Sequence, residues 1–274
     1  MKMSSLVRPL VAAAVLAGGL EAQAQTPTWN GFYLGGQVGS AFLPDGADAF
    51  VTFDTNLDGG FGDTVFTAAG ANAFSPGFCP GVPQGLTPAA GCSREDDGVD
   101  FGGRIGYDWQ SGSFVYGIVG EVSAPDLTDS LTAFSTTPAS YTFTRELKAV
   151  GSLGLRVGYG GSRVLVYGTG AVAYGDLDRT FATSNRVNTF VQTIDDGAWG
   201  YRAGGGVEFR VSRLSLGAEY LFTSLSDTDR FTVRSQGPAP ATNPFIRVNP
   251  AGTDLRRSDD LEFQSVRFTA SYRF

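Results

Sequence analysis

Apolar and polar residues alternate with a period of two along much of this chain. From Val99 to Trp109 the odd positions hold Val, Phe, Gly, Ile, Tyr and Trp, and the even positions hold Asp, Gly, Arg, Gly and Asp. Such alternation predicts extended strands with one apolar face. The pattern is equally clear at residues 147–159, 199–211 and 266–274, and weaker copies at 32–42, 114–122, 164–174 and 214–222 bring the predicted strands to eight.

The second face of these strands indicates where they lie. It consists of glycine interleaved with Arg, Glu and Asp, whereas a water-facing strand surface favours residues such as Thr, and glycine weakens it. Inside a small barrel, glycines leave room for long Arg and Glu side chains that pair across the lumen. The apolar face then meets lipid. Aromatic residues near strand ends are predicted to form girdles at the two membrane interfaces; they are Trp29, Phe32, Tyr107, Trp109, Tyr159, Trp199, Tyr220, Tyr272 and Phe274.

The connections between the predicted strands alternate in length. Those at 110–113, 160–163 and 212–213 are short, and those at 43–97, 123–146, 175–198 and 223–260 are long. Outer-membrane barrels have short periplasmic turns and longer extracellular loops. The sequence therefore predicts an all-β fold, an eight-stranded antiparallel up-and-down transmembrane β-barrel with four long extracellular loops.

The N-terminal segment predicts export. Lys2 and Arg8 precede the apolar stretch 10–20, and Ala22-Gln23-Ala24 follows it. This is typical of a secretory signal peptide, since a membrane-spanning helix needs about 20 apolar residues. We expect a signal peptide at 1–24 and a barrel domain at 25–274, located in the outer membrane of a Gram-negative bacterium.

Composition excludes several functions. The chain contains no His, which removes Ser-His-Asp and Cys-His catalysis and imidazole metal sites. Its net charge is -7, with Lys+Arg 20 against Asp+Glu 27, and without a basic cluster a nucleic-acid partner is not expected. We expect no enzymatic activity.

Charged residues on the polar face are the main candidate site. Their near balance of sign favours a structural network of ion pairs over a selectivity ring of one sign. The predicted network comprises Arg104, Glu121, Arg156, Arg202, Glu208, Glu219 and Arg267, and the wider lumenal set adds Asp100, Asp108, Glu146, Lys148, Arg210 and Arg273.

Two features of the first long loop suggest further chemistry. Cys79 and Cys92 are predicted to form a disulfide, because an exported protein passes an oxidising compartment. Asp54, Asn56 and Asp58, followed by Gly59, match the first half of a calcium-binding loop. The bidentate Glu expected at its twelfth position is replaced by Val65, so the alternative is an acidic, turn-rich surface loop.

Three segments carry a resemblance to a known family. They are Trp-Asn-Gly-Phe-Tyr-Leu-Gly-Gly from Trp29, Glu-Tyr-Leu-Phe from Glu219, and the ending Val-Arg-Phe-Thr-Ala-Ser-Tyr-Arg-Phe from Val266. The chain resembles the small outer-membrane barrels called "porin family" immunogenic proteins, related in architecture to OmpA and OmpX. The resemblance implies an integral, often antigenic, outer-membrane protein. It also implies that the outer-membrane assembly machinery reads Tyr272 and Phe274 in the last strand.

Two functional classes follow. In the first, the barrel has a structural or surface-interaction role with a lumen filled by side chains; in the alternative, it is a small porin or conduit for small solutes. The expected partners are outer-membrane lipid and lipopolysaccharide, the assembly machinery and an unknown extracellular ligand. We expect a monomer without a cofactor, apart from calcium at the candidate loop.

Overall fold

The computed structural model describes residues 28–44, 49–94, 98–195 and 197–274. The predicted signal peptide lies outside these residues. Within them, the chain forms sixteen strands and two 3-10 turns, Pro88–Ala90 and Pro244–Ile246. No helix of the described residues is long and apolar enough to cross a bilayer. The strands are β1 (Gly31–Phe42), β2 (Val51–Asp54), β3 (Gly77–Pro80), β4 (Val82–Pro83), β5 (Cys92–Ser93), β6 (Gly98–Ser111), β7 (Phe114–Pro125), β8 (Leu127–Ser135), β9 (Ala139–Gly160), β10 (Val164–Thr183), β11 (Thr189–Ile194), β12 (Ala198–Val211), β13 (Leu214–Leu225), β14 (Phe231–Gln236), β15 (Thr253–Arg257) and β16 (Leu261–Arg273).

Eight of these strands close into a barrel. Each pairs antiparallel with its two neighbours in the order β1, β6, β7, β9, β10, β12, β13 and β16, and β16 pairs again with β1. The predicted eight-stranded antiparallel barrel is therefore confirmed. The hairpins β6–β7, β9–β10 and β12–β13 have short connections at one end of the barrel, called here the turn end.

The alternation in sequence determines which side chains enter the lumen. Along β1, Tyr33 and Gln37 are buried inside the barrel, whereas Leu34 and Val38 are exposed on its outer wall. The outer wall is apolar on the other barrel strands as well, as hydrocarbon contact requires.

One β-bulge exchanges the two faces of β9. Opposite β10, Asp176 faces Ala149 while Leu177 faces Leu147, so Lys148 is the extra residue of the bulge. A one-residue slip moves every following side chain to the other face. Leu147 is buried in the lumen, and Lys148 forms an ion pair with Glu146 outside it. The prediction that Glu146 and Lys148 line the lumen is therefore wrong.

The long connections at the opposite end fold into a β-rich cap. Crossing a membrane takes about 9–11 tilted residues, but β9 has 22 and β10 has 20, so both strands continue into the cap. There β8 pairs with the outer half of β9, β3 pairs with β8, and a separate sheet has the order β11-β14-β15-β2. All four connections, counted with the strand extensions, supply residues to one hydrophobic core, whose aromatic members include Phe53, Phe74, Tyr141, Phe143, Phe190, Phe231 and Phe245.

Candidate functional site: the lumen and the cap

A closed ring of four charged side chains crosses the lumen near the turn end. Arg156 donates to Glu208 at 2.6 Å and to Asp108, while Arg273 donates to Asp108 at 2.7 Å and to Glu208 at 3.0 Å. All four side chains are at most 2% exposed. Two carboxylates and two guanidinium groups alternate around the ring. We call this the turn-end ring.

Aromatic rings pack against the turn-end ring from both sides. Tyr33 lies between the guanidinium groups of Arg156, at 4.8 Å, and Arg273, at 4.7 Å. Trp29 is fully buried, its ring lies 4.8 Å from the Arg273 guanidinium, and its Nε1 donates to Gly161 O at 2.9 Å. The prediction that Trp29 belongs to an interfacial girdle is therefore wrong, because its side chain enters the mouth of the barrel and closes the turn end.

A second ring of ion pairs crosses the middle of the lumen. Arg104 contacts Glu121 at 3.0 Å and Glu219 at 3.1 Å, and Arg267 contacts the same two carboxylates at 3.0 and 2.5 Å. We call this the middle ring. Arg202 joins it through Glu121 at 3.4 Å. Of the buried groups nearby, Asp100 lies 3.8 Å from Arg267, and Tyr167 donates to Glu219 at 2.6 Å.

Glycine on an intervening strand lets side chains two strands apart meet. Gly117 on β7 lies in register with Asp108 on β6 and with Arg156 on β9. A Cβ at this position would lie 2.2 Å from Asp108 Oδ1 and 2.6 Å from Tyr107 O. The glycine is therefore needed for space, since any side chain would enter the path of the Asp108–Arg156 pair.

An apolar layer separates the middle ring from the cap. It is formed by inward side chains of the barrel strands and β8, and each is almost completely buried. The lumen is thus filled in successive layers from the turn end: Trp29, two rings of ion pairs and the apolar layer, whose larger members are Leu127, Leu147, Val150, Leu177, Leu225, Leu261 and Phe263.

The structure brings all seven residues of the predicted network into these two rings or onto their edge. Asp100, Asp108 and Arg273, from the wider lumenal set, are also buried there. Arg210 is different: its side chain is partly exposed at the turn end and donates to Ser212 O at 2.7 Å. Sequence reasoning missed the aromatic partners Tyr33 and Tyr167, although Tyr33 shares the inward parity of Gln37.

Sequence reasoning also missed a cluster of buried charges at the base of the cap. Arg145 contacts Asp129 at 2.8 Å, Asp227 at 3.1 Å and Asp259 at 2.6 Å. Burial by itself would raise the pKa of Asp259, but the Arg145 guanidinium, followed by Arg257, outweighs it and holds the pKa below its usual value. These ion pairs join β8 and β9 to the segment that precedes β16.

The first connection contains the predicted disulfide and the candidate calcium loop. Cys79 and Cys92 form a disulfide that links β3 to β5, as predicted. In the candidate calcium loop, Asp54 Oδ1 accepts from Leu57 N at 2.6 Å and its Oδ2 accepts from Gly59 N at 2.8 Å. Within the described ranges, no group of three or more His, Cys, Asp or Glu side chains is placed to hold a metal ion.

Asn56 and Asp58 complete the local bonding of this loop. Asn56 Oδ1 accepts from Asp58 N at 2.9 Å, and Asp58 Oδ1 accepts from Gly60 N at 2.7 Å. The carboxylate and amide oxygens thus already bind backbone N–H groups in tight turns. Calcium binding at this loop stays a prediction.

The end of the chain lies on the outer wall at the turn end. Tyr272 and Phe274 are 44% and 68% exposed, with their ring centroids 5.1 Å apart. Phe274 N donates to Phe32 O at 3.0 Å, which fixes the terminus beside the first strand. The two aromatic side chains predicted as an assembly signal therefore face the membrane side of the barrel.

A wide apolar groove of about 840 Å³ lies on the outer wall. Gly103, Gly120 and Gly151 line it together with apolar side chains, and the rings of Tyr174 and Trp199, which also line it, lie 5.0 Å apart between centroids with their planes inclined at 59°. The lumenal residues Arg104 and Glu121 also border the groove. The groove therefore lies directly outside the middle ring.

An apolar outer wall, a lumen of ion pairs and a closed antiparallel barrel define an integral outer-membrane β-barrel protein. The family model described as "Outer membrane protein beta-barrel domain" matches residues 10–274, and the chain belongs to this family. Its location is accordingly the outer membrane of a Gram-negative bacterium.

Curated relatives and a solved structure agree with this assignment. The chain is 31% identical over 134 residues to a 22 kDa outer membrane protein of Rhizobium leguminosarum bv. viciae, covering 47% of this chain and 54% of the relative. It is 28% identical over 127 residues to the 31 kDa outer-membrane immunogenic protein of Brucella melitensis biotype 1, covering 45% and 52%. The chain thus spans about half the length of these relatives. The fold is similar to that of the outer membrane protein OprG from Pseudomonas aeruginosa, with a TM-score of 0.52, 13% identity and coverage of 91% and 99%.

Proposed function

We propose that this protein is a closed membrane anchor that presents a folded β-cap at the cell surface, and that the cap is the interacting part. The main observation in support of this proposal is that side chains fill the lumen. The turn-end ring and the middle ring are built from side chains almost entirely removed from solvent, with Trp29 below them and an apolar layer above them. Eight strands leave an interior just wide enough for side chains, and here large ones occupy it.

The cap supports a surface role through its own internal order. Its core holds a cluster of aromatic rings, with Phe74 5.3 Å from Tyr141 and 5.8 Å from Phe245 between ring centroids. A loop that only connected strands would not need such a core. Because outer-membrane barrels direct their long connections outward, this folded surface faces the exterior. A relative named as an immunogenic protein is consistent with exposure of this surface.

The remaining partners follow from the same arrangement. The apolar wall meets outer-membrane lipid and lipopolysaccharide, and the exposed pair Tyr272 and Phe274 is available to the assembly machinery. A cavity of about 220 Å³ in the cap, bordered by Tyr141, Asn185, Arg186 and Phe245 among others, offers one place for an extracellular ligand. No catalytic role is proposed.

Accessibility and conductance test the proposal together. Val248→Cys places a thiol on an exposed part of the cap, and Ser162→Cys is the matched control at the turn end. On intact cells, a membrane-impermeant maleimide should label the first variant only, and lysis should expose the second. Purified protein in a planar bilayer should give no stepwise conductance. Labelling of Ser162→Cys on intact cells, or stable unitary conductance, contradicts the proposal.

The outer-wall groove favours the second candidate, a conduit for apolar solutes with a lateral opening. Such a path requires the glycine floor to stay open, so Gly151→Leu should block uptake of an apolar probe into proteoliposomes. A Cβ added at Gly151 would meet no heavy atom within 4 Å, which makes the substitution compatible with folding. Equal uptake by the variant and the unmodified protein excludes this route.

A further inference from the structure

All four long connections border the cavity of about 220 Å³ in the cap. Each contributes at least one residue, in chain order Phe74, Pro138, Asn185 and Phe245. Ala139, the first residue of β9, borders the cavity as well, and so does Tyr141, which lies opposite the last residue of β10. The cavity therefore lies where the β9–β10 ladder ends, far from the turn end of the barrel.

Hydrogen bonds among the bordering segments fix the walls of this cavity. Asn185 Oδ1 accepts from Val187 N at 2.8 Å, and Asn185 Nδ2 donates to Tyr141 OH at 3.0 Å. Asn188 and Asn243 donate to each other's side-chain oxygens at 3.3 and 3.1 Å, which joins the third connection to the fourth. The walls are thus organised before a ligand arrives, and this lowers the entropic cost of binding.

The volume of the cavity limits a ligand to about one ring. An engineered apolar cavity of about 150 Å³ binds benzene, whereas drug-sized ligands occupy pockets of about 300–1,000 Å³. A cavity of about 220 Å³ therefore suits a six-membered ring with one small substituent. Phe74, Tyr141 and Phe245 border it, with ring centroids 5.3, 5.6 and 5.8 Å from one another. An aromatic ring can join this cluster in the tilted or edge-to-face contacts that such rings prefer.

The amide side chains on the border are already occupied, which disfavours a sugar. Asn185 and Asn243 use both their side-chain oxygen and nitrogen atoms in the bonds described above. Ser184 Oγ accepts from Ser140 N at 2.9 Å. A sugar ring carries several hydroxyl groups, and a buried hydroxyl without a hydrogen-bond partner is costly. The cavity therefore suits a ligand with few polar atoms.

The polar side chains that stay available on the border are all able to donate to an anion. They are the guanidinium group of Arg186 and the hydroxyl groups of Thr136 and Thr137, which make no hydrogen bond or ion pair within the part of the chain that the structure describes. None of the described residues that border the cavity is Asp or Glu. The border therefore carries one uncompensated positive charge.

We infer that this cavity is a binding site for a small aromatic carboxylate, with its ring beside the three aromatic residues and its carboxylate beside Arg186. The inference extends the proposed function and rests on it, because the ligand must reach the cap from outside the cell. A carboxylate matches the planar fork of a guanidinium group, which can donate two parallel hydrogen bonds to it. A neutral aromatic compound gains only the ring contacts.

Benzoate and benzamide test this inference, because each has one aromatic ring and only benzoate is charged. Binding to the folded full-length protein in detergent micelles is measured by NMR titration, with protein-free micelles as the blank. Benzoate should bind, and benzamide should bind at least about fivefold more weakly, the ratio that an exposed ion pair can supply. Equal affinities, no binding of benzoate, or binding of glucose in place of benzoate overturn the inference.

Two arginine variants assign the charge to the cavity. Arg186→Gln and Arg230→Gln each remove one guanidinium group from the cap, but of these two residues only Arg186 borders the cavity. Arg186→Gln should weaken benzoate binding at least about fivefold and leave benzamide binding unchanged, whereas Arg230→Gln should alter neither. The same benzoate affinity for both variants contradicts the site. An unchanged gel shift between boiled and unboiled samples shows that both barrels fold.

Protection of a thiol separates this inference from the proposed function. Val187 borders the cavity and Val248 does not, although the two residues are 55% and 56% exposed. On intact cells, benzoate should slow the labelling of Val187→Cys by an impermeant maleimide and leave that of Val248→Cys unaffected. If benzoate does not slow the labelling of Val187→Cys on intact cells, only the carboxylate site is wrong. If both variants are labelled only after lysis, the surface location of the cap is wrong, and benzoate binding to the purified protein still decides the site.

Discussion

Removal of one carboxylate from the turn-end ring tests whether the lumen depends on ion pairing. Glu208 is 2% exposed, and its two oxygens accept from Arg156 at 2.6 Å and from Arg273 at 3.0 Å. In Glu208→Ala both guanidinium groups stay buried with Asp108 as their remaining carboxylate in the ring. The variant therefore carries one uncompensated positive charge in the lumen.

The expected loss can be compared with that of an exposed pair in the same protein. Breaking a buried ion pair by removing one partner costs about 3–5 kcal/mol. The control is Glu146→Ala, because Glu146 pairs with Lys148 outside the lumen, where their side chains are 44% and 41% exposed. An exposed pair contributes about 0–1 kcal/mol. We expect Glu208→Ala to lower the free energy of unfolding by several-fold more than the control.

Urea unfolding in phospholipid vesicles measures both losses. Tryptophan fluorescence follows the transition, since the Trp29 ring lies 4.8 Å from Arg273 of the ring. The double variant Arg156→Met/Glu208→Ala removes one charge of each sign, so its loss should be smaller than the sum of the two single losses. Equal losses for Glu208→Ala and Glu146→Ala would refute the buried ion-pair ring.

Three further predictions concern space, pH and covalent structure. Gly117→Val, which places carbon in the path of an ion pair, should lower the stability of the barrel by about 1–3 kcal/mol in the same urea assay. Arg145 helps hold the pKa of Asp259 below its ordinary value of 3.8. The stability that the ionised Asp259 contributes to the cap is therefore complete above about pH 4 and is lost as the pH falls through the lowered pKa. Protease resistance of the cap should decline in that range, and Asp259→Asn should flatten the decline. Cys79→Ser/Cys92→Ser should increase cleavage between these positions, with a loss of about 3 kcal/mol in the chain-entropy treatment, and should leave the gel shift of the barrel unchanged.

Period-two alternation was sufficient to predict the seven charged residues of the ion-pair network because it assigns every second residue to one face. Even the pairing of Arg104 with Glu121 follows from a short hairpin, since these residues lie opposite each other in β6 and β7. The Asp108–Arg156 contact is different. The two side chains meet across Gly117 on β7, the strand between them. Their contact depends on the register of β7 against β9, and a long connection separates β7 from β9 in the sequence.

The errors have equally local causes. The bulge at Lys148 leaves the hydrophobic pattern almost unbroken, yet it reverses the faces of everything beyond it in β9. Trp29 was assigned to a girdle by its position near a strand end, although it has the odd parity of the inward residues Tyr33 and Gln37. The cap sheet joins β2 to β15, about 200 residues apart in sequence, and local patterns carry no information about such pairing.

The continuity of β9 and β10 decides how the cap can move. These strands pair with each other from Leu165 opposite Gly160 at the turn end to Thr183 opposite Tyr141 in the cap. A hinge between barrel and cap would have to break this ladder or bend both strands at the same level. At the base of the cap, Arg145 further ties β9 to Asp227 and Asp259. Opening the lumen by swinging the cap aside therefore carries a high energetic cost. For the proposed surface role, this rigid mounting gives the cap a fixed surface, whose contacts are determined before any partner arrives.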